Sequence, residues 1–164
     1  MSAIDIRRAT PEDATTIHDF IVQLAIYERE PDAVEATPES LRAQLAFDQP
    51  PFRALIASVS GLDVGFALWF PTFSTWTGQV GIHLEDLFVQ EDQRGSGAGR
   101  ALLAELARLT VEGGGRRLEW QVLDWNQPSI DFYESIGAEI KRDWLPCRVS
   151  GATLDRLAGH APEA

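Results

Sequence analysis

The chain is poor in cysteine, in basic residues and in long apolar runs, and each shortage narrows what it can be. A single cysteine, Cys147, leaves no intramolecular disulfide to form, so a disulfide-stapled secreted scaffold is excluded. The strongest apolar runs, such as Phe66-Ala67-Leu68-Trp69-Phe70, are far shorter than a membrane span. Asp5, Arg7, Arg8, Glu12 and Asp13 interrupt the N-terminal stretch where a secretory signal needs apolar residues, so a cytoplasmic protein is expected. Only 14 Lys and Arg stand against 25 Asp and Glu, a formal net charge of −11. Such a surface repels phosphate backbones and anionic membranes and favours cationic partners, and Arg116-Arg117 is too small a basic patch to reverse that for nucleic acid.

What remains is a chain of 164 residues with 45% hydrophobic and 24% charged side chains, the composition and size of one globular domain. Its hydrophobic periods predict an alternation of strands and helices. Ile4 to Arg7 alternates as a strand, and Thr10-Pro11-Glu12-Asp13 opens a helix whose apolar face is Ala14, Ile17, Ile21, Leu24 and Ala25, ending near Glu28 to Pro31. Thr37-Pro38-Glu39 starts a second helix carrying Leu41, Leu45 and Phe47, stopped by Gln49-Pro50-Pro51. Phe52 to Val59 and Val64 to Phe70 read as a hairpin, and Gly81 to Val89 as the next strand. A helix is expected over Ala101 to Glu112, a strand over Leu118 to Leu123, a helix over Gln127 to Ile136, and a terminal hairpin over Ala138 to Ser150. The expected fold is α/β (α+β), a mixed, mostly antiparallel sheet with helices on both faces, forming one domain over 1–158 with a loose tail over 159–164.

The chemistry concentrates in Arg94-Gly95-Ser96-Gly97-Ala98-Gly99-Arg100, between a strand and a helix, where backbone amides can cradle phosphate oxygens. It is not a P-loop, because Gly99 is followed by Arg100-Ala101 rather than by Lys and a hydroxyl residue. Nor is it the dinucleotide fingerprint, because Arg100 stands where the last glycine belongs, and Glu119 is a poor match for the ribose-binding acid. The Arg-x-x-Gly-x-Gly pattern, preceded by Leu84-Glu85-Asp86-Leu87-Phe88-Val89 and followed by Asn126-Gln127-Pro128-Ser129-Ile130-Asp131-Phe132-Tyr133, resembles the GNAT superfamily of N-acetyltransferases. Ala25-Ile26-Tyr27-Glu28, Leu84-Glu85-Asp86 and Trp125-Asn126 narrow the resemblance to the diamine acetyltransferase branch. Phe73-Ser74-Thr75-Trp76 and Val122-Leu123-Asp124-Trp125-Asn126-Gln127 look more like thialysine acetyltransferases than like spermidine/spermine acetyltransferases, which have an acid near the position of Ser74.

The resemblance implies a direct transfer from acetyl-CoA to a primary amine, with no metal, and a homodimer with sites near the subunit seam. It places acetyl-CoA on Leu87, Phe88 and Val89, on Arg94, Gly95, Ser96, Gly97, Ala98, Gly99 and Arg100, and on Asn126, Gln127, Pro128, Ser129 and Tyr133. Donors for an oxyanion would come from the backbone at Leu87 to Val89, on a strand splayed by a bulge. An amine of pKa about 10.4 must lose a proton before attack. Glu85 is the candidate base, directly or through water, and Tyr133 the candidate acid for the departing thiolate. Regular alternation would send Asp86 to the opposite face from Glu85. Asn126 also reads as a helix cap, and Tyr133 as a core ring. Tyr27, Glu28, Ser74, Thr75, Glu85, Glu119, Trp120 and Gln121 are the candidate amine-binding residues, and Arg142 a candidate partner for a substrate carboxylate. His83 beside Glu85 and Asp86 does not make a metal site, because alternation separates neighbours and His18 and His160 bear no spacing to it. Cys147 lies outside both motifs, so no covalent enzyme intermediate is expected. The other activities weighed are diamine or polyamine acetylation and a non-catalytic acetyl-CoA sensor.

Overall fold

In a computed structural model, residues 3–161 are described. The chain divides into two compact units, Met1–Gln121 and Val122–Ala164.

The first unit is a five-stranded sheet in the order β1-β2-β3-β4-β5, with β1 Ile4–Arg8, β2 Arg53–Val59, β3 Leu62–Ser74, β4 Gln79–Val89 and β5 Leu118–Glu119. The first four strands pair antiparallel and β5 joins β4 in parallel, so the mixed, mostly antiparallel sheet expected from the sequence is present. β2 is buried on both of its faces from Ala54 to Ser58, which is why it reads as an unbroken apolar run. One face packs on α1 (Ala14–Tyr27) and α2 (Pro38–Leu45) through Ile17, Phe20, Leu41, Ala54, Ile56, Phe66, Leu68 and Phe88. Phe20 anchors this layer, with its ring 5.7 Å from Phe66 and 6.1 Å from Phe88. Each such buried ring contributes about 1.5–3 kcal/mol. α3 (Ala98–Glu112) buries Leu102, Leu103 and Leu106 and touches β1 to β4.

Local chemistry sets the helix starts. Asp13 accepts from the Thr10 backbone at 2.8 Å, and its carboxylate takes a two-pronged ion pair from Arg7 of β1, tying the first strand to the entry of α1. That guanidinium, helped by the Thr10 hydrogen bonds, holds the Asp13 carboxyl below its ordinary range. Thr37 and Ser40 form the reciprocal cap of α2.

The second unit carries α4 (Gln127–Ser135) and α5 (Gly151–Ala158). Here the sequence reading needs correction. The hairpin expected over Ala138 to Ser150 is absent: that stretch forms no strand, and α5 follows it with Leu154 and Leu157 exposed. The stretch includes Pro146, which has no N–H for a ladder, and extended Ser150 stands at the cap position of α5. The strand expected over Leu118 to Leu123 shrinks to Leu118–Glu119, leaving Trp120 and Gln121 beyond it. α2 stops at Leu45, short of Phe47, and α3 begins at Ala98 rather than Ala101. β3 and β4 run past Phe70 and Gly81 to meet at Ser74 and Gln79. Within the tail expected over 159–164, residues 162–164 lie outside those described.

Candidate active site

The site is built around a fault in β4. Leu68 of β3 pairs with Asp86, yet the next residue, Trp69, pairs with Leu84. Glu85 is therefore the extra residue of a β-bulge, the feature the resemblance implies, lying just before Leu87 to Val89. A bulge breaks the period of two, so the expectation that Asp86 faces away from Glu85 is overturned. Asp86 lies opposite Leu68, a residue of the α1-facing core layer. His83, two residues before Glu85, is opposite Phe70 and stacks on it at 5.0 Å, and its Nε2 reaches Glu85 Oε2 at 3.5 Å.

Asp86 is the residue that sequence reasoning set aside. Burial pushes its carboxyl up to about 6, and the neighbouring Glu85 and Glu28 carboxylates act in the same direction. Glu28, just past the last turn of α1, is itself raised by burial. Three acids of the first unit thus share one electrostatic environment: Glu28, Glu85 and Asp86. The sequence signal was present in Glu85-Asp86, two adjacent acids inside an apolar strand, which regular pleating does not accommodate without exposing one face.

The glycine turn follows directly. Gly95 and Gly97 adopt φ of 83° and 97°, the left-handed region that only glycine enters without strain. Gly97 is the cap residue of α3, and Ser96 Oγ accepts from the Ala98 amide at 3.3 Å. No atom lies within 4 Å of where a side chain on Gly95 would begin, so the outer side of the turn is open beside the first amides of α3, which have no acceptor within the helix. Arg94 and Arg100 flank it as exposed cations. These residues fit the pyrophosphate of a coenzyme A group: backbone donors, a helix N-terminus and two cations.

Arg94 also changes the reading of Tyr27. Its guanidinium sits 4.4 Å over the Tyr27 ring while its Nε–H donates to the Val89 carbonyl at 3.3 Å. The aromatic face expected to receive a substrate ammonium carries a cation of the chain itself.

The other expected amine-binding residues separate. Ser74 and Glu119 meet in one cavity at the far end of β4, whereas Thr75 is exposed on the turn between β3 and β4. Trp120 is half-buried and Gln121 exposed, both outside β5.

In the second unit, Asn126 caps α4 by accepting from the Ser129 amide at 3.4 Å, with Pro128 in the first turn. Gln127 reaches Asp131 at 2.6 Å. Asn126, Ile130 and Tyr133 are buried, so the helix face expected from their spacing exists, and Phe132 packs against the Tyr133 ring at 5.5 Å. Arg142 and Cys147 are exposed. Among the described residues no three His, Cys, Asp or Glu side chains converge as metal ligands would, and no helix is long and apolar enough to cross a membrane.

Comparison with known proteins agrees with this geometry. The sequence pattern of the Acetyltransferase (GNAT) family matches residues 16–138. A thialysine N-epsilon-acetyltransferase of Sus scrofa is 32% identical over 97% of this chain and 99% of its own length. An L-ornithine N5-acetyltransferase of Arabidopsis thaliana is 29% identical over 93% of this chain and 86% of its own. An integron cassette protein from the mobile metagenome of V. cholerae superposes with a TM-score of 0.79 at 26% identity, covering 96% of this chain and 98% of that one. With its bulged fourth strand, its glycine turn and this family match, the chain belongs to the GNAT family of acetyltransferases and is an acyltransferase enzyme that uses acetyl-CoA.

Proposed function

We propose that the chain acetylates the side-chain amine of a small, lysine-like cation, with thialysine as the first candidate, by direct attack and without an acyl-enzyme. One observation carries this reading: Glu28, Glu85 and Asp86 crowd like charges at the bulge next to the cofactor turn. The partly buried carboxylates of Asp86 and Glu28, beside the exposed Glu85, are unfavourable on their own and become favourable when an ammonium enters among them. The relatives named for thialysine and L-ornithine support an amino-acid amine over a peptide terminus.

Acetyl-CoA supplies an activated acetyl thioester, held in the first unit by Leu87 to Val89 and Arg94 to Arg100, and the family resemblance assigns Asn126 to Ser129 of the second unit to the same cofactor. The chain's own part is proton management. The amine arrives protonated, with a pKa of about 10.4, and a carboxylate must take that proton as nitrogen becomes nucleophilic. Glu85 or Asp86 serves, directly or through one water. Asp86, held at about 6, is ionised at neutral pH yet more basic than an ordinary aspartate. Tyr133 donates the proton that the leaving thiolate needs, and the homodimer belongs to the same proposal.

A CoA-release assay across thialysine, lysine, ornithine, short diamines, spermidine, aminoglycosides and an N-terminal peptide tests the reading. Thialysine or lysine should lead, and transfer to the peptide alone would overturn it. Tyr133→Phe should lower kcat by about 100-fold or more while coenzyme A affinity is kept, since positioned acids contribute on that order. A sensor module would show CoA binding with no turnover to lose. Light scattering reads the dimer, and a monomer at assay concentration removes it.

A further inference from the structure

One face of the sheet gathers titratable side chains that regular pleating would divide. Leu68 and Phe70, two residues apart on β3, share a face, so their partners Asp86 and His83 share it as well. Residues 83 and 86 would lie on opposite faces of an unbroken strand, and the bulge at Glu85 brings them together. On the other side of β4, Glu119 of β5 stands in register with His83.

His83 has no part in the proton transfers outlined above. Its ring is stacked on Phe70, with centroids 5.0 Å apart and planes 27° from parallel, and its Nε2 lies 3.5 Å from Glu85 Oε2. Two acids thus neighbour the ring, but Glu119 Oε1 has the Arg117 guanidinium at 3.6 Å, and the imidazole nitrogen is turned to Glu85. Packing on Phe70 asks only for a flat apolar ring, and does not call for a nitrogen aimed at a carboxylate. Glu85 benefits from such a partner. Its side chain is 56% exposed, free to turn among rotamers and pushed outward by the like charge of Asp86.

We propose that His83 is a positioning residue for the acetyl transfer: its Nε2–H, steadied by the Phe70 stack, holds the Glu85 carboxylate at the bulge where the amine arrives. The inference rests on the amine acetylation proposed above and adds a residue to it. A lone pair facing a carboxylate is repelled and an N–H attracted, so the neutral ring carries its proton on Nε2 and leaves Nδ1 as the acceptor. A carboxylate that meets an ammonium must point at it as well as attract it, and Glu85 released from His83 keeps its charge and loses its aim. The loss therefore falls on the amine, not on acetyl-CoA, whose turn lies beyond Val89.

The test begins with His83→Phe, which keeps a ring on Phe70 and removes Nε2. It should lower kcat/KM for thialysine by about 3- to 10-fold, the worth of one partly exposed hydrogen bond, and leave the KM for acetyl-CoA and the melting temperature near wild type. His83→Gln, whose amide can donate to Glu85, should recover part of that loss. In a Glu85→Gln background the same His83→Phe change should cost about twofold or less, because the carboxylate it serves is gone. A ring that only packs would cost the same in both backgrounds, and that result overturns the proposal, as does a His83→Phe enzyme as active as wild type. Nitrogen NMR of isotope-labelled protein reads the contact without any turnover. The His83 ring, identified by its absence from His83→Phe, should be the Nε2–H tautomer when neutral and should lose that preference in Glu85→Gln. A neutral Nδ1–H tautomer in wild type overturns the proposal even where a variant is too impaired to assay. Those outcomes leave amine acetylation standing, whereas a wild type that transfers acetyl to no amine removes both readings.

Discussion

The two regions on either side of Val89 handle charge in opposite ways. Downstream, the turn from Arg94 to Arg100 offers backbone amides and cations, with two glycines at positive φ and no acid in the turn itself. Upstream, within four residues of Val89, Glu85 and Asp86 place two carboxylates on a bulge, with Glu28 acting on them from the end of α1. On the proposed reading, the turn is a site for an anion made mainly of main chain, and the bulge a site for a cation made of side chains. The difference teaches where each is vulnerable. A main-chain site fails when the backbone is forced out of its conformation, whereas a side-chain site fails when one charge is neutralised.

The sharpest way to break that contrast is to neutralise the acids one at a time. Asp86→Asn and Glu85→Gln should separate the base from its neighbour, the true base losing about 100-fold or more in kcat/KM for the amine. If Asp86 is the base, activity of the parent should rise with pH through about 6, the value to which its carboxyl is pushed, and Asp86→Asn should remove that limb. Stability must respond in the opposite sense. A carboxyl raised from 3.8 to about 6 binds its proton more tightly in the folded state, so below about pH 4 it costs nothing. As pH rises from about 4 through 6 the folded state loses stability, and above that the loss is complete, at most about 3 kcal/mol for a shift of this size. Asp86→Asn should therefore raise Tm at pH 7.5, leave it little changed at pH 4, and lower turnover. Melting curves that fail to diverge between those pH values would show that Asp86 carries no such burden.

That pair of acids also marks the limit of what sequence could reveal. The glycine turn was legible because Arg94, Gly95, Gly97 and Gly99 announce a backbone conformation directly, and the Asn126 cap and the buried Ile130 and Tyr133 follow from helical spacing. Regular pleating misplaces Asp86, because a one-residue bulge reverses the face of every later side chain. The Arg94 contact with Tyr27 was invisible for a different reason: it joins residues far apart in the chain through tertiary packing alone. The terminal hairpin fails because Ala138 to Ser150 carries the charged run Lys141-Arg142-Asp143 and Pro146, which has no N–H to give a ladder.

A second test strikes the main chain of the turn. Gly97 sits at φ 97° as the cap of α3, and a Cβ there would meet Ile4 Cδ1 at 3.3 Å. Gly97→Val adds the strain of a branched residue in the left-handed region, about 1–2 kcal/mol, and presses its side chain on Ile4 of β1, which displaces the start of α3 and its free amides. The expected outcome is a KM for acetyl-CoA raised by about tenfold or more, with the amine KM much less affected. Gly114→Asn, past the end of α3, is the control, because its φ of 75° suits asparagine and nothing lies within 4 Å of the new Cβ. Equal damage from both substitutions would mean that general loss of stability, not the shape held at Gly97, sets the effect.

The smallest effect lies where the two regions touch, at Tyr27. If its ring serves the substrate ammonium, Tyr27→Leu should raise the amine KM. The structure instead puts the Arg94 guanidinium 4.4 Å over that ring, with the Val89 carbonyl fixing the same side chain. On this geometry the ring holds an arginine of the cofactor turn in place, and its loss should be felt as a KM for acetyl-CoA raised about two- to fivefold, the worth of one exposed cation–π contact. Tyr27→Phe keeps the ring face and should restore most of the affinity, which a role for the hydroxyl would not allow. Parallel saturation curves in the two substrates decide between the regions: a change confined to the amine curve would return Tyr27 to the acid side of the site, and a change confined to the acetyl-CoA curve assigns it to the turn.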